Sequence, residues 1–593
     1  MKKIISLLLA LVMIVSLVTA MASCGKKTEE KKFPTITYLY NTSDGHKAIG
    51  EYLQAALSNV GITMNLENQE WNTFLNTRKE GKYSVARNGW VADYNDPICF
   101  LDMWTSGSGN NDVQFGKGAH AELKMYNLDL TKWGYETKVE NGTWAETYDV
   151  LIATIKSCTD TEKRYELMHY AEDILMSTGC IVPLYYYTDL YMINKDVEGF
   201  YCNPLGYKYF MYTTVKGAGE SISVCLASEP DTLDPALNSA VDGATMVSHL
   251  FSGLAKWALD KDGKLVIVPD CATELPAGVA NDDGSVTYTY VLKDDLKWSN
   301  GDALTAADFV NSWKRAASAE LAADYGYMFE VVKGYGTENK DDLAVEAVDE
   351  KTIKVTLANS VSYWDELLAF PTYFPVHSSA MTDESWATKP ETYICNGAYT
   401  IDSWTHDSLI TLKKNASYHG ADDVTMNEIK CFLSDDANNM LANFKKGDWL
   451  LIDDVPTNEI ATLKTSHPDE FVIAGQIGTY YVCWNINENI LPEGSELTGV
   501  EAEKAQAEIR NAIGLLFDRN YIVESVAQGG QVPASSFVAM GMTNPDGTEF
   551  YKTANGGAAA NGYNGYYNVA KEAHEANVNK AIEILEKYYD LKK

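Results

Sequence analysis

Residues 81–97, GKYSVARNGWVADYNDP, bring together side chains that could bind a charged ligand. Arg87, Trp90 and Asp93 lie within seven positions, between a run with the pattern of a β-strand and an Asn-Asp-Pro turn. A carboxylate held on a turn can accept charge-assisted hydrogen bonds from an ammonium group that leaves water. An aspartate in such a run can also simply cap its own backbone. The residues alone leave both interpretations open.

The preceding residues, YNTSDGHKAIGEYLQAALSNVGITMNLENQEWNTFLNTRKEG, extend this pattern. Together the two segments closely resemble the oligopeptide-binding proteins that feed ABC importers. The resemblance implies that Asp93, in the ADYN motif, receives the α-ammonium group of a bound peptide. It also implies that the side chains around the peptide include His46, Trp71, Arg78, Arg87 and Trp90. Arg87 and His46 are the candidates for the peptide's C-terminal carboxylate, because a guanidinium meets a carboxylate with two parallel hydrogen bonds.

The same resemblance extends to two residues elsewhere in the chain. Tyr325, in ADYGYMF, matches a tyrosine placed against the peptide backbone, with Tyr327 as the alternative. Glu229, in EPDTLDP, matches a residue near the bound amino terminus. On the residues alone, a tyrosine here packs in a core or an interface with its hydroxyl satisfied. A Glu-Pro pair beside a turn is often a solvated corner. The binding and the structural interpretations stay open for Tyr325 and for Glu229. A lone histidine such as His46 is likewise more often structural.

The chain starts with MKKIISLLLALVMIVSLVTAMASC, which has two lysines, a long apolar run and small residues before a cysteine. This layout predicts a secretory signal peptide over residues 1–23. Cys24 is then lipidated, and residues 24–32 form that cysteine and a lysine- and glutamate-rich tether. A signal cut without lipidation is the alternative. No later stretch reaches the roughly 20 apolar residues of a spanning helix. We therefore expect a body held by its lipid anchor on the extracellular face of the bacterial cytoplasmic membrane.

Composition excludes several classes of function. A chain of 593 residues should contain more than one lobe. Its net charge of −34 argues against nucleic acid or anionic lipid as a partner, since both require a basic face. The nine histidines lack metal-ligand spacing, and HExxH, GxSxG and GxxxxGK[ST] do not occur. Nine cysteines follow Cys24 without a CxxC pair, and we expect most to be buried small apolar residues. The sequence thus predicts no enzyme, no cofactor and no metal site.

The resemblance implies an α/β fold, the two-lobed periplasmic-binding-protein fold of class II type with an extra small lobe. Its segments stand here in a circularly permuted order. SISVCLASEPDTLDP, after Glu220, resembles the start of a mature family member, whereas residues 34–216 resemble its C-terminal third. The original ends would be rejoined near residues 217–219, which proteins tolerate when their termini lie close together. The predicted boundaries are 33–172 and 479–593 for lobe III, 173–241 and 378–478 for lobe I, and 242–377 for lobe II. In this order the lipid tether leaves from lobe III.

One segment predicts local structure in detail. VTYTYVLKDDLKWSNGDALTAADFVNSWKR, from Val286 onward, alternates apolar and polar residues as a half-buried strand does, and then turns at Asn300-Gly301. Thr305 and Asp308 are spaced as a capping pair for the helix that follows. The segment resembles the family's most diagnostic signature, which is structural. It indicates the fold and says nothing about the ligand.

The resemblance finally implies a function. Two lobes would close on an extended peptide of about three to five residues and deliver it to the subunits of an ABC permease. The protein is expected to be a monomer. The alternatives are another solute, such as a dipeptide, a nickel complex or an oligosaccharide, and a lipoprotein that senses a peptide without transport. Asp93 favours a free amine over a sugar, and the scattered histidines argue against nickel.

Overall fold

The computed structural model describes residues 31–591 except 218, 227, 338 and 384. The predicted signal peptide, Cys24 and most of the predicted tether therefore lie outside the described residues. The α-helices are α1 (Asp44–Asn59), α2 (Trp71–Lys79), α3 (Val150–Ser157), α4 (Thr161–Ser177), α5 (Val241–Leu250), α6 (Ala306–Ala316), α7 (Trp364–Leu368), α8 (Ala437–Lys446), α9 (Ile460–Ser466), α10 (Gly499–Leu515), α11 (Arg519–Tyr521), α12 (Phe550–Thr553), α13 (Gly557–Asn561) and α14 (His574–Leu585). Short 3₁₀ and π segments connect many of these elements.

The strands form one large sheet and several small ones. They are β1 (Ile36–Asn41), β2 (Met64–Gln69), β3 (Val85–Val91), β4 (Tyr126–Asp129), β5 (Lys138–Gly142), β6 (Ile181–Ile193), β7 (Val197–Glu198), β8 (Tyr201–Cys202), β9 (Lys208–Tyr209), β10 (Thr214–Val215), β11 (Ser221–Leu226), β12 (Ala255–Leu259), β13 (Leu265–Pro269), β14 (Val279–Ala280), β15 (Val286–Val291), β16 (Val345–Ala347), β17 (Thr352–Leu357), β18 (Tyr399–Thr405), β19 (Leu409–Lys414), β20 (Glu428–Leu433), β21 (Leu451–Ile452), β22 (Phe471–Trp484) and β23 (Val532–Pro533).

The large sheet has the strand order β18-β19-β20-β11-β21-β6-β22-β3-β1-β2, with β23 paired to β6. β1 is parallel to β2 and β3, and β11 is parallel to β20 and β21. Parallel neighbours need crossover connections, and helices supply them here: α1 between β1 and β2, α2 between β2 and β3, and α8 between β20 and β21. α1 shows why such helices pack on the sheet, because Ile49, Leu53 and Leu57 form one buried stripe at helical spacing.

β6 and β22 join the two halves of the large sheet. They are antiparallel, and their register shifts between Gly475 and Thr479. On one side β6 pairs with β21, in the half formed by predicted lobe I, and on the other β22 pairs with β3, in the half formed by predicted lobe III. The predicted two-lobed α/β fold is confirmed. The lobe boundaries and the circularly permuted order stay predictions.

The segment 242–377 carries its own antiparallel sheet, β14-β15-β17-β16. The detailed prediction for this segment is confirmed. β15 is followed by a turn in which Gly301 has a φ of 91°, a left-handed conformation that glycine adopts without strain. The Thr305 amide then donates to Asp308 Oδ2 at 2.8 Å, which completes a capping box at the start of α6. This helix buries Phe309 and Trp313.

All nine described cysteines are free thiols, and eight of them are buried. This agrees with the expectation that most act as small apolar residues. Within the described part of the chain, no cluster of three or more His, Cys, Asp or Glu side chains is arranged to hold a metal ion. None of the described helices has both the length and the apolar character needed to cross a membrane.

Arg510 forms a buried ion pair within α10 and links this helix to the C-terminal end of α4. The side chains of Glu503 and Arg510 are 7% and 1% exposed and form an ion pair. Arg510 Nε also donates to the Thr178 carbonyl at 3.0 Å. A buried guanidinium without its carboxylate is costly, because its charge has left water.

We expect Glu503→Ala to lower the free energy of unfolding by about 3 to 5 kcal/mol, because it strands the Arg510 charge. Urea denaturation followed by circular dichroism measures this. Glu501→Ala is the matched control, since Glu501 is exposed on the same helix and its loss should change stability by less than about 0.5 kcal/mol. Equal effects of the two substitutions would contradict the assignment.

Candidate functional site

A cavity of about 340 Å³ lies along β3, between the two halves of the large sheet and the 242–377 segment. Seven of the eight side chains predicted for the peptide site line it: His46, Trp71, Arg78, Arg87, Trp90, Asp93 and Tyr325. These residues come from positions that are far apart in the chain. Their convergence makes this cavity the candidate binding site.

Asp93 lies just beyond the end of β3 and is only 6% exposed. Its Oδ1 accepts a hydrogen bond from the Tyr325 hydroxyl at 2.8 Å, whereas Oδ2 has no hydrogen-bond partner among the described residues. Burial raises the pKa of Asp93 well above its usual value, although the Tyr325 hydroxyl acts in the opposite direction. No described residue therefore gives this carboxylate a positive partner. A cation that entered the cavity would supply one.

The alternative of a local cap describes Asp96 and not Asp93. Asp96 Oδ1 accepts from the Ile98 amide at 3.0 Å, which caps the short 3₁₀ turn Pro97–Phe100. Arg164 also donates to both Asp96 oxygens, at 2.7 and 2.9 Å. Asp96 is thus paired with a cation and a backbone amide, whereas Asp93, close to it in the chain, has no cationic partner among the described residues.

Arg87 is the opposite case, a buried cation without an acidic partner in the described residues. It is 9% exposed, and its guanidinium carbon lies 5.8 Å from the Trp71 ring and 5.6 Å from the Tyr480 ring. Its Nη2 donates to His46 Nε2 at 2.6 Å, and His46 Nδ1 lies 3.3 Å from the Tyr480 hydroxyl. Burial and the Arg87 charge lower the pKa of His46 well below its usual value. His46 is therefore neutral and orients Arg87. Of these two side chains, only Arg87 presents a positive charge to a ligand.

Arg78 and Trp90 form walls of the cavity. Arg78 Nε lies 2.6 Å from Asp112 Oδ2, so its charge is already paired. The Trp90 indole donates to the Cys99 carbonyl at 2.9 Å, and its ring lies 6.2 Å from that of Tyr325. Both side chains are fixed by the protein, so they contribute shape rather than free charge.

Glu229 does not reach the cavity. The Trp404 indole donates to its Oε1 at 3.0 Å, and the Asp407 amide and the His406 ring also bond its carboxylate. These partners belong to the β18-β19 hairpin, so Glu229 holds a corner of the fold. Tyr327 likewise lies behind Tyr325, with ring centroids 6.0 Å apart, and does not line the cavity.

Sequence reasoning missed Tyr187, which projects from β6 into the cavity. A Cβ atom added to Gly89 would lie 2.1 Å from the Tyr187 hydroxyl, so only glycine at this point of β3 allows the tyrosine to approach. A glycine inside a strand often marks such a close approach, and Gly89 was the available signal. Asn41, Asp242 and Asp454 also line the cavity and were not predicted.

Comparison with known proteins gives consistent matches. The chain matches the model of the bacterial extracellular solute-binding proteins, family 5 Middle, over residues 19–112 and 266–588. It is similar to the oligopeptide-binding protein OppA of Bacillus subtilis (32% identity over 54% of this chain and 56% of the relative) and to the dipeptide-binding protein DppE of the same organism (29%, over 56% and 59%). The chain thus spans somewhat over half the length of the curated relatives it matches. Among solved structures, the murein tripeptide binding protein MppA of Escherichia coli matches with a TM-score of 0.49, 22% identity and coverage of 62% and 66%.

The unpaired Asp93 carboxylate should destabilise the ligand-free protein. A carboxyl whose pKa is higher in the folded than in the unfolded state binds its proton more tightly when folded, so stability falls as the pH rises and the group ionises. Asp93→Asn keeps an acceptor for Tyr325 but removes the charge. At pH 7 we expect it to stabilise the ligand-free protein by about 1 to 3 kcal/mol, a gain that shrinks as the pH falls.

Calorimetry of protein refolded without ligand measures this effect as a rise in Tm. Asp96→Asn is the matched control. It should lower Tm, because it breaks the bidentate pair with Arg164. A lower Tm for Asp93→Asn would show that the Asp93 charge is compensated by the protein itself.

Proposed function

The chain belongs to the family 5 bacterial extracellular solute-binding proteins, and from this membership we propose that it captures oligopeptides outside the cell for an ABC import permease. One observation carries the proposal. A buried anion, Asp93, and a buried cation, Arg87, line the same cavity, and neither has a partner of opposite charge among the described residues. A peptide with free ends is a zwitterion that satisfies both.

The spacing of these two charges fits a short peptide. Arg87 and Asp93 are six positions apart along β3 and its extension, which in extended backbone corresponds to about 20 Å between their Cα atoms. An extended peptide of three to five residues spans about 10 to 17 Å, and the two side chains cover the remainder. The Tyr325 hydroxyl, which donates to Asp93 from the 242–377 segment, would join the two sides of the cavity around the peptide's amino terminus.

Recognition of the two ends explains how such a protein can accept many sequences. The ammonium and carboxylate groups are common to all unmodified peptides. Main-chain hydrogen bonds of the strand-pairing kind would add affinity without reading side chains. Water in the remaining volume would adapt to side chains of different size.

The other solutes that such proteins could bind fit these charges less well. An oligosaccharide has no charged ends to meet Asp93 and Arg87. A dipeptide, which the name of one relative mentions as a ligand, spans about 7 Å and is too short to reach both. A protein that senses a peptide without transport would use the same cavity. Growth on peptides as the sole amino-acid source, compared between strains with and without this protein, separates transport from sensing.

The anchoring and the segment order belong to the same proposal. Lipidation at Cys24, after a signal peptide over residues 1–23, would hold the protein at the membrane where the permease lies.

The permuted order is supported by the adjacency of α14 and β1. The amide of Asp590 donates to the Lys31 carbonyl, the Lys31 amide donates to Asp590 Oδ2, both at 2.8 Å, and the rings of Phe33 and Tyr589 lie 5.0 Å apart. A helix of this position would lead directly into β1 in an unpermuted chain.

We expect Asp93→Ala to weaken the binding of a tri- or tetrapeptide by about 2 to 5 kcal/mol, because the peptide's ammonium group would then be buried without a partner. Isothermal titration calorimetry measures the change. Asp435→Ala is the control, since Asp435 lines the cavity but is exposed. Unchanged affinity in a folded Asp93→Ala protein would remove Asp93 from the site.

Amidation of the peptide's C-terminus should weaken binding at least about tenfold, which is about 1.4 kcal/mol, because Arg87 would lose its anion. The amidated and free peptides should bind alike to Arg87→Ala, which already lacks the guanidinium. The same titrations with peptides of two to seven residues should give the highest affinity at three to five. Equal binding of free and amidated peptides to the unaltered protein would contradict the role of Arg87.

A further inference from the structure

The cavity contains more negative than positive charge. Six aspartates line it: Asp93, Asp112, Asp242, Asp435, Asp453 and Asp454. Only three permanent cations do so: Arg78, Lys79 and Arg87. A neutral zwitterionic peptide adds one charge of each sign and leaves this imbalance unchanged.

Several of these charges are cancelled by the protein. Arg78 pairs with Asp112 at 2.6 Å, and Lys79 pairs with Asp324. Asp453 pairs at 2.7 Å with Lys208, whose side chain is 3% exposed. Asp435 is exposed to solvent. If the peptide's two ends take Asp93 and Arg87, the charges that remain are those of Asp242 and Asp454.

Asp242 and Asp454 are half-buried, and no lysine, arginine or histidine in the described residues forms an ion pair with either. Asp242, in the first turn of α5, accepts from the Gly243 amide at 2.8 Å. Asp454 accepts from the Val455 amide at 2.7 Å. Asp242 is also approached by the Trp71 indole, but neither carboxylate has a cationic donor in the described part of the chain, so both keep capacity to accept hydrogen bonds. Burial raises the pKa of each group to about 7, against the lowering effect of these amides.

Both aspartates lie toward the Arg87 end of the cavity. The Trp71 indole lies close enough to Asp242 to lower its pKa, and the same ring is 5.8 Å from the Arg87 guanidinium carbon. Asp454 lies three residues before Thr457, whose hydroxyl is 3.8 Å from the position that a Cβ atom would take on Gly45 in α1. Gly45 is next to His46, the hydrogen-bond partner of Arg87. A peptide carboxylate on Arg87 would therefore place its last side chains near Asp242 and Asp454.

An independent observation at the same end also indicates a missing donor. Asn41, at the end of β1, is 8% exposed and lines the cavity, and its Oδ1 has no hydrogen-bond partner among the described residues. Such a buried acceptor without a donor is uncommon in folded proteins. Asn41 lies three residues before Asp44, on the side of the cavity where Asp454 lies. Two donors, Trp71 Nε1 and Arg87 Nε, also lack a hydrogen-bond partner among the described residues, so this end has donors for a carboxylate and acceptors for a cation.

We propose that this end of the cavity selects peptides with a lysine or arginine near their carboxyl end, whose cation lies between Asp242 and Asp454 with Asn41 as a further acceptor. The inference rests on the proposed function, because it assumes that Arg87 holds the peptide carboxylate. An ammonium has three donors and a guanidinium five, and neither has an acceptor, which matches the acceptor oxygens of Asp242, Asp454 and Asn41. Since Asp242 and Asp454 come from the segments after β11 and β21 while Asn41 comes from β1, such a side chain would also draw opposite sides of the cavity together.

The test compares Ala-Ala-Lys with Ala-Ala-norleucine by isothermal titration calorimetry on the soluble body, residues 25–593. Norleucine keeps the aliphatic stem of lysine but has no charge. We expect Ala-Ala-Lys to bind at least about tenfold more tightly. Lys-Ala-Ala should show a smaller gain over norleucine-Ala-Ala. Equal affinities for Ala-Ala-Lys and Ala-Ala-norleucine would overturn this inference and leave the proposed function intact. Failure of every peptide to bind would overturn both.

Two variants locate the preference. Asp242→Asn and Asp454→Asn should each reduce the lysine advantage several-fold, measured for each variant as the ratio of its affinities for Ala-Ala-Lys and Ala-Ala-norleucine. Asp435→Asn, the exposed aspartate of the same cavity, should keep the full advantage. An advantage that persists in the double variant Asp242→Asn/Asp454→Asn would overturn the assignment to these two carboxylates. The comparison of the two peptides on the unaltered protein does not depend on the folding of any variant.

Discussion

The organisation of the cavity depends on a carboxylate that the fold buries without neutralising. Asp93 has one oxygen bonded by Tyr325 and the other without a partner in the described residues. Arg87 is its counterpart, surrounded by aromatic faces and held by a neutral His46 rather than by an acid. Each of these charges costs stability when the site is empty, because burial removes water that nothing else replaces. The empty site therefore destabilises the protein, and a ligand that pairs with Asp93 and Arg87 removes this cost. Binding can in this way favour a closed arrangement of the lobes.

The charged side chains near Asp93 and Arg87 are, by contrast, paired with opposite charges. Asp96, three positions from Asp93, is held by two bonds from Arg164 and by a backbone amide. Arg78 has Asp112, and Lys208 lies between Asp189 and Asp453. Buried charges are normally paired in this way, since an unpaired one is strongly destabilising. Against that background Asp93 and Arg87 stand out because they line the same cavity. The buried Glu172 and Arg519 also form no ion pair among the described residues, but backbone amides and carbonyls bind them outside the cavity. The presence of Asp93 and Arg87 in one cavity supports a ligand-binding role more strongly than either residue does alone.

The sequence predicted the two-lobed α/β fold, the capping box of Thr305 and Asp308, and the location of seven cavity side chains. These predictions succeeded where the signal was local or where a continuous motif surrounded the residue. They failed to exclude Glu229, because the hairpin that binds its carboxylate lies more than 170 positions away in the chain. The role of His46 as a neutral support for Arg87 was also not predictable, since it depends on burial and on a contact with a side chain of β3. Tyr187 had only an indirect signal in Gly89. Asp242 and Asp454 had none, because an acidic sequence contains many aspartates and only the packing shows which of them lack a partner.

The cysteines of this chain bear on its redox chemistry. Proteins that work outside the cell often rely on disulfides to restrict the unfolded chain. Here the nine described thiols are all reduced and eight are buried, and burial raises the pKa of thiols such as Cys271 and Cys395. The thiolate, which is the form that attacks disulfides and is readily oxidised, is therefore scarce. Within the described residues the architecture is thus held by packing, backbone pairing and ion pairs, and no disulfide contributes to it.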